Sequence, residues 1–217
     1  GYKPERTIKL MLNCGEESAN EFIGAKYMVE NHLDLISAEF ALNEGAGGRI
    51  DPATGKYIYN GVQAGEKLYQ DYTLEVTNPG GHSSRPVPDN AIYELGDALL
   101  AVQGYQFPIE FNDATRNFFR RMGQITPGQE GQDMRDAADG ENADAIRRLT
   151  QNPGYNATLR TTCIATQLEA GHAPNALPQR ATANVNCRIF PGHTQQEILG
   201  VLNDVVDNPN VKIALRS

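Results

Sequence analysis

The sequence predicts an α/β chain in two parts, the second a β-α-β-β-α-β sandwich, and three observations carry that prediction. Tyr72, Leu74 and Val76 alternate with Thr73, Glu75 and Thr77, the period-two pattern of a strand with one buried face. Ile92, Leu95, Leu99 and Leu100 then recur at helical spacing, behind a cap at Asp89 or Asn90 and ahead of a stop at Gly104. After a polar stretch the alternation returns twice, in Thr162, Ile164, Thr166 and Leu168 and in Ala181, Ala183, Val185, Cys187 and Ile189. Thr194 and Glu197 form a capping box before the apolar stripe Ile198, Val201, Leu202, Val205 and Val206, and a strand from Val211 to Leu215 closes the unit. That order is the split unit of the ferredoxin-like sandwich, interrupted by an acidic, helical insertion at about 108–157.

The first 67 residues follow different punctuation. Thr7 to Leu12 is a short apolar run, and Asn13-Cys14-Gly15 turns it into a helical stretch from about Ser18 to Asn31. A second strand is expected over Ala38 to Leu42, ending in the glycine cluster Asn43-Glu44-Gly45-Ala46-Gly47-Gly48. A hairpin is expected through Lys56 to Tyr59 and Val62 to Ala64. The expected domains are therefore 1–67, a partial α/β domain too small to cover both faces of its sheet, and 68–217, which can bury its own core.

At 217 residues with 40% apolar composition the chain is of globular type. No run approaches the roughly 18 apolar residues of a membrane span, and no secretion signal opens the chain, so no membrane partner is expected. It opens on Gly1, without an initiator Met and almost directly in a strand-like run, and its true beginning is expected to have been removed. Compartment is not readable. A net charge of −8 with scattered basic residues argues against nucleic acid, which needs clustered Lys and Arg. Cys14, Cys163 and Cys187 lack metal-ligand spacing and are odd in number, so buried free thiols are expected.

Several residues stand where chemistry could be done. Glu16 and Glu17 follow a strand and open a helix; adjacent carboxylates suit a metal ligand beside a general base, although acids in a first helical turn also meet the helix dipole. Glu44 follows the neighbouring strand and could point to the same place, or be an ordinary loop acid. His82, in Gly80-Gly81-His82-Ser83-Ser84, is an imidazole on a glycine-rich turn, able to stabilise an oxyanion or simply to serve the turn. Asn175 is held between Pro174 and Pro178, and Arg188 shares the polar face of its strand with Asn184 and Asn186. A guanidinium there can clamp a carboxylate with two parallel hydrogen bonds, or remain a solvated arginine on a sheet face. His32, His172 and His193 are expected to be structural.

In this order the motifs resemble the zinc peptidase family that contains carboxypeptidase S, glycine-X carboxypeptidase, aminoacylase, acetylornithine deacetylase and succinyl-diaminopimelate desuccinylase. The resemblance covers essentially the whole chain. It is most specific in Asn78 through Ser84 with Pro88-Asp89-Asn90-Ala91, and in Asn175 through Pro178 joined to Ala183 through Gly192. The insertion and the Thr161 to Thr166 strand look most like the carboxypeptidase S branch.

The resemblance implies a partial zinc-peptidase α/β catalytic domain followed by a ferredoxin-like α+β lid and dimerisation domain. It implies two zinc ions per site, with Glu16 as general base, Glu17 a ligand of one zinc and Glu44 a ligand of the other. His82, Asn175 and Arg188 would face a peptide or N-acyl amino acid substrate, and a homodimer through the lid would carry His82 into the partner's site. The family's earlier His and Asp ligands and its later His ligand are absent, and Gly15 stands where many relatives carry an acid. A catalytic zinc takes about three protein ligands and a water. The chain alone is therefore expected to bind zinc weakly and to be inactive. The alternative is a non-catalytic ferredoxin-like binding and dimerisation module.

Overall fold

The computed structural model describes residues 3–15, 22–43, 45–140 and 142–216, in two compact units, 1–47 and 48–217. The first unit contains α1 (Gly24–Asn31) and the single turn α2 (Leu33–Ile36). The helix expected from about Ser18 starts, within the described residues, at Gly24, whose N–H donates to the Cys14 carbonyl at 2.8 Å.

The strands expected over 7–12 and 38–42 do not form; both segments lack ladder partners among the described residues. Side chains tie them down instead: Lys9 Nζ donates to the Ser37 carbonyl at 2.8 Å, and Arg6 pairs with Glu39. The physical reason is missing cover. A strand holds when its backbone groups meet a neighbour and one face is buried. Here Leu10 and Leu12 are more than 80% exposed.

In the second unit, β1 (Gly48–Ile50) pairs antiparallel with β2 (Tyr57–Asn60). The expected hairpin partner was 62–64, but the turn Asp51-Pro52-Ala53-Thr54-Gly55 lies on the other side of Tyr57. Asp51 accepts from Ala53 N–H at 2.9 Å and from the Thr54 hydroxyl at 2.7 Å, which makes this the local reversal and holds the Asp51 carboxyl below its usual pKa.

The sandwich follows. Its long strands are β3 (Leu68–Thr77), β5 (Thr162–Ala170), β7 (Arg180–Ile189) and β8 (Val211–Arg216), in the antiparallel order β5-β7-β3-β8, with α3 (Ala91–Gly104) and α8 (Gln195–Val206) as its helices. A short ribbon pairs β4 (Gly81–His82) with β6 (Ala176–Leu177). The β-α-β-β-α-β unit is therefore present. Tyr72, Leu74, Val76, Ala183, Val185 and Ile189 are buried in one core with Leu95, Val102, Ile198 and Leu202 from the helices. Asn90 caps α3 by accepting from Ile92 N–H, and the capping box of Thr194 and Glu197 starts α8. On α3 the buried face is Ala91, Leu95, Ala98 and Val102, whereas Ile92 and Leu100, expected to face inward, are exposed. Small residues let the helix lie close to the sheet, so the contact face shifts from the bulkiest side chains to the alanines.

The insertion folds into α4 (Asp113–Ile125), α5 (Gly128–Gly140), α6 (Ala143–Leu149) and α7 (Pro153–Leu159). Asn112, Asn142 and Asn152 cap three of these helices through their side-chain oxygens. They enclose a core of their own, Phe119, Met134, Ala137, Ala138, Ala145, Leu149 and Leu159. Gly131 is required at the α4/α5 crossing, since a Cβ there would stand 1.9 Å from the Thr126 carbonyl oxygen.

The cysteines correct an expectation. Cys163 and Cys187 are bonded as a disulfide, and only Cys14 is a free thiol, an exposed one. Cys163 lies directly opposite Cys187 in the β5/β7 ladder. Cross-strand pairing is invisible to cysteine counting.

Candidate functional site

Two groups of side chains stand at opposite ends of the sheet. The first is the ribbon beyond the Thr77/Arg180 end of the β3/β7 pair. Asn78 N–H donates to the Gln179 carbonyl at 2.9 Å, extending the ladder, and the Asn78 side chain accepts from Gly80 N–H at 2.9 Å. Gly80 has φ +79°, where an L side chain is strained, and a Cβ there would meet Gln179 Cγ at 2.6 Å. The turn thus needs glycine, and it delivers His82 opposite Ala176 in the ribbon. Ser83 N–H donates to the Asn175 carbonyl at 3.0 Å, so His82 and Asn175 are brought together, both exposed.

The His82 ring is oriented. Ser84 N–H donates to Nδ1 at 3.2 Å, and the Ser84 hydroxyl lies 2.8 Å from the same nitrogen. A backbone N–H cannot accept, so Nδ1 is the acceptor and the neutral imidazole carries its proton on Nε2. The exposed Nε2–H is a donor ready for a developing oxyanion.

The second group lies on the sheet face turned away from the helices, at the other end. Arg188 pairs in register with Tyr69 on one side and Thr162 on the other. From Arg180 to Arg188 is eight strand positions, about 26 Å at roughly 3.3 Å each. The Arg188 guanidinium lies over the Tyr69 ring, 4.6 Å from its centroid. The Tyr69 hydroxyl donates to Asp71 Oδ2 at 2.7 Å, while Asn184 and Asn186 donate to Asp71 Oδ1 at 2.9 and 2.8 Å. Burial alone would raise the Asp71 pKa, but these three donated bonds hold it below the usual carboxylate value; the same bond to Asp71 pushes Tyr69 up. Lys67 Nζ donates to Thr162 Oγ1 and to the Ala157 carbonyl, both at 3.0 Å, and half-burial with Arg188 nearby brings it down to about 8.

Glu16, Glu17 and Glu44 lie outside the described residues. Among the described residues no group of three or more His, Cys, Asp and Glu side chains could hold a metal ion, so these residues do not by themselves fit a zinc site. His193 Nε2 lies 2.7 Å from Glu110 Oε2, which ties the start of the insertion to the segment that leads into α8. Tyr69, Asp71 and Lys67 were not singled out by sequence. Pairing the two alternating strands in register would have set Tyr69 beside Arg188.

Residues 64–214 match the family model described as the peptidase dimerisation domain, which covers more than half of the chain. The chain belongs to the M20 peptidase dimerisation family. A carboxypeptidase S-like protein of Dictyostelium discoideum is 30% identical over 220 residues, covering 99% of this chain and 41% of the relative. An N-fatty-acyl-amino acid synthase/hydrolase of Xenopus tropicalis is 26% identical over 220 residues, covering 99% of this chain and 42% of the relative. A metallo-carboxypeptidase of the M20 family from Sulfolobus solfataricus has a TM-score of 0.47 and 18% identity, covering 88% of this chain and 45% of that chain. The chain spans about two fifths of the length of the curated relatives it matches. Family membership makes it part of a peptidase and hydrolase lineage, and the four-stranded sheet with its two helices is the lid fold of that lineage.

Proposed function

We propose that the chain is the lid and part of the catalytic domain of a zinc-dependent hydrolase acting on amide bonds next to a free carboxylate, in peptides or N-acyl amino acids. The catalytic part would span 1–67 and the lid 68–217. The observation that carries this reading is the separation of two recognition groups by the length of the sheet: the His82 and Asn175 ribbon at one end, Arg188 at the other.

A substrate's carboxylate and the amide it flanks are only a few ångströms apart, far less than the ~26 Å between the two ends of the sheet. The two groups therefore complement each other most simply across two copies of the chain. Arg188 of one copy takes the carboxylate through two parallel N–H bonds, while the partner's His82 donates from Nε2 to the carbonyl oxygen as it gains charge. The partner's Asn175 adds an amide donor beside it. Dimerisation is in this reading a condition of catalysis. Glu16 would take the proton from the attacking water, and Glu17 and Glu44 would contribute one ligand each to two zinc ions. Zinc, when bound, supplies an acidic water and a Lewis acid. Two carboxylates leave each ion short of the usual number of ligands, so the chain by itself is read as inactive.

The test uses the full-length protein. Glu16→Gln is expected to lower turnover by orders of magnitude with zinc content unchanged, and Arg188→Met to raise KM for carboxylate-bearing substrates only. Retained activity in the first variant, or equal loss on amidated analogues in the second, refutes the corresponding role. A zinc-free, inactive but dimeric full-length protein would instead favour a binding module.

A further inference from the structure

We propose that Tyr69 is a positioning residue for Arg188, holding its guanidinium flat while leaving its hydrogen-bonding edges open to a ligand carboxylate. The inference rests on the proposed role of Arg188 as the carboxylate clamp and adds the device that makes such a clamp usable.

An arginine on a sheet face has many rotamers, and most ordered arginines are fixed by an acid. Arg188 is not: among the described residues no carboxylate pairs with it, and its recorded contact is the Tyr69 ring at 4.6 Å. A charge of its own sign acts close by, the Lys67 ammonium held at Thr162, the ladder neighbour of Arg188. Repulsion from Lys67 and the absence of an acid would leave the side chain wandering were nothing else attached to it. An aromatic face supplies the missing hold. It attracts the cation through the ring quadrupole and contacts the guanidinium plane, so the N–H groups at the edges are not consumed. A carboxylate partner would have occupied those same donors and competed with the ligand.

The platform is itself pinned. Tyr69 stands directly opposite Arg188 in the β3/β7 ladder, which sets the ring on the same face of the sheet. Its hydroxyl donates to Asp71, and Asp71 is held in turn by Asn184 and Asn186. Asn184 is buried and also donates to Thr166, while its oxygen accepts from Arg216 at 3.1 Å. The chain of bonds runs across the sheet from β8 and β5 to the ring under Arg188, so the ring cannot swing without breaking its hydrogen bond to Asp71, a carboxylate that part-buried asparagine bonds hold in place. Asp71 thereby serves Arg188 without touching it: its charge is taken up by Tyr69 and the two asparagines.

The experiment compares Tyr69→Leu, Tyr69→Phe and Arg188→Met in the full-length protein, on a substrate with a free carboxylate and on its amidated analogue. Tyr69→Leu is expected to raise KM for the carboxylate substrate about two- to fivefold, the range of an exposed cation–π contact, with kcat and the amidated analogue little changed. Tyr69→Phe, which keeps the ring, is expected to recover most of the loss. An unchanged KM in Tyr69→Leu, or an equal rise for both substrates, overturns the proposal. Failure of Arg188→Met to discriminate the substrates would sink the clamp reading separately. A spectroscopic arm then decides positioning on its own: the Arg188 Hε resonance should be shifted upfield by the ring, keep that shift in Tyr69→Phe and lose it in Tyr69→Leu. The same resonance in the parent, Tyr69→Phe and Tyr69→Leu overturns the proposal whatever the kinetics.

Discussion

Replacing Phe119 with alanine should separate the helical insertion from the sandwich energetically. Phe119 is fully buried, with ring centroids 5.2 Å from Phe118, 5.7 Å from Tyr155 and 6.3 Å from Phe111, all near edge-on. Truncating a buried Phe costs about 3–5 kcal/mol in transfer and cavity terms. The edge-on contacts, each contributing about 0.5–1.5 kcal/mol, place this site toward the upper half of that range. Because its cluster is distinct from that of Leu74 and Val185, the loss should fall first on local opening of α4 to α7. Amide hydrogen exchange reads this directly. Protection in those helices should fall by about 700- to 4,000-fold, at roughly 1.4 kcal/mol per tenfold, while amides of β3 and β7 change by less than about tenfold. Equal loss in the β3/β7 ladder would refute the idea of two separable cores, and a cost below about 1 kcal/mol would refute the packing argument.

Three further outcomes are expected. Asp133 is buried and held below the usual carboxylate pKa by Arg148, which donates through Nε at 2.8 Å, and by Gln129. A depressed carboxyl contributes stability above its unfolded value near 3.9 and loses it as pH falls through the folded value. Melting temperatures below about pH 4 should therefore fall more steeply in the parent than in Asp133→Asn, and parallel curves would refute the pairing. Lys67, brought down to about 8 by burial, should show a Cε resonance titrating near that value. Stability should rise with pH between about 8 and the unfolded value near 10.4, where the unfolded chain binds more protons, and a midpoint above 10 would contradict the burial. Alkylation of the chain under denaturing conditions should modify only Cys14 before reduction and all three cysteines after it. Three modifications without reductant would remove the disulfide.

The identification of this chain as a lid was legible because it depends on local periodicity and on motif order. Alternation at Tyr72, Leu74 and Val76 and at Ala181 through Ile189 states which face is buried, and a period of two leaves no second choice. Caps at Asn90 and Thr194 are equally local, each a side-chain oxygen meeting an N–H two or three residues on. Gly80-Gly81-His82 announced a turn that only glycine can make, and the imidazole stands on it.

What depends on a distant neighbour was not legible. The runs 7–12 and 38–42 carry the composition of strands, but a strand is completed by its partner, and among the described residues neither has one. On α3 the pattern favoured Ile92 and Leu100, whereas the tertiary packing buries Ala91 and Ala98, because closeness to the sheet outweighs side-chain size. The disulfide, the second core in the insertion, and the row Thr162, Arg188, Tyr69 all arise from register between strands or contacts between helices far apart in sequence. The sequence determined the sandwich, the His82 turn and the polar face of Arg188. Only the tertiary structure decided that His82 joins Asn175 at one end of the sheet while Arg188 lies on an aromatic ring at the other, since strand pairing, not chain order, sets which side chains meet.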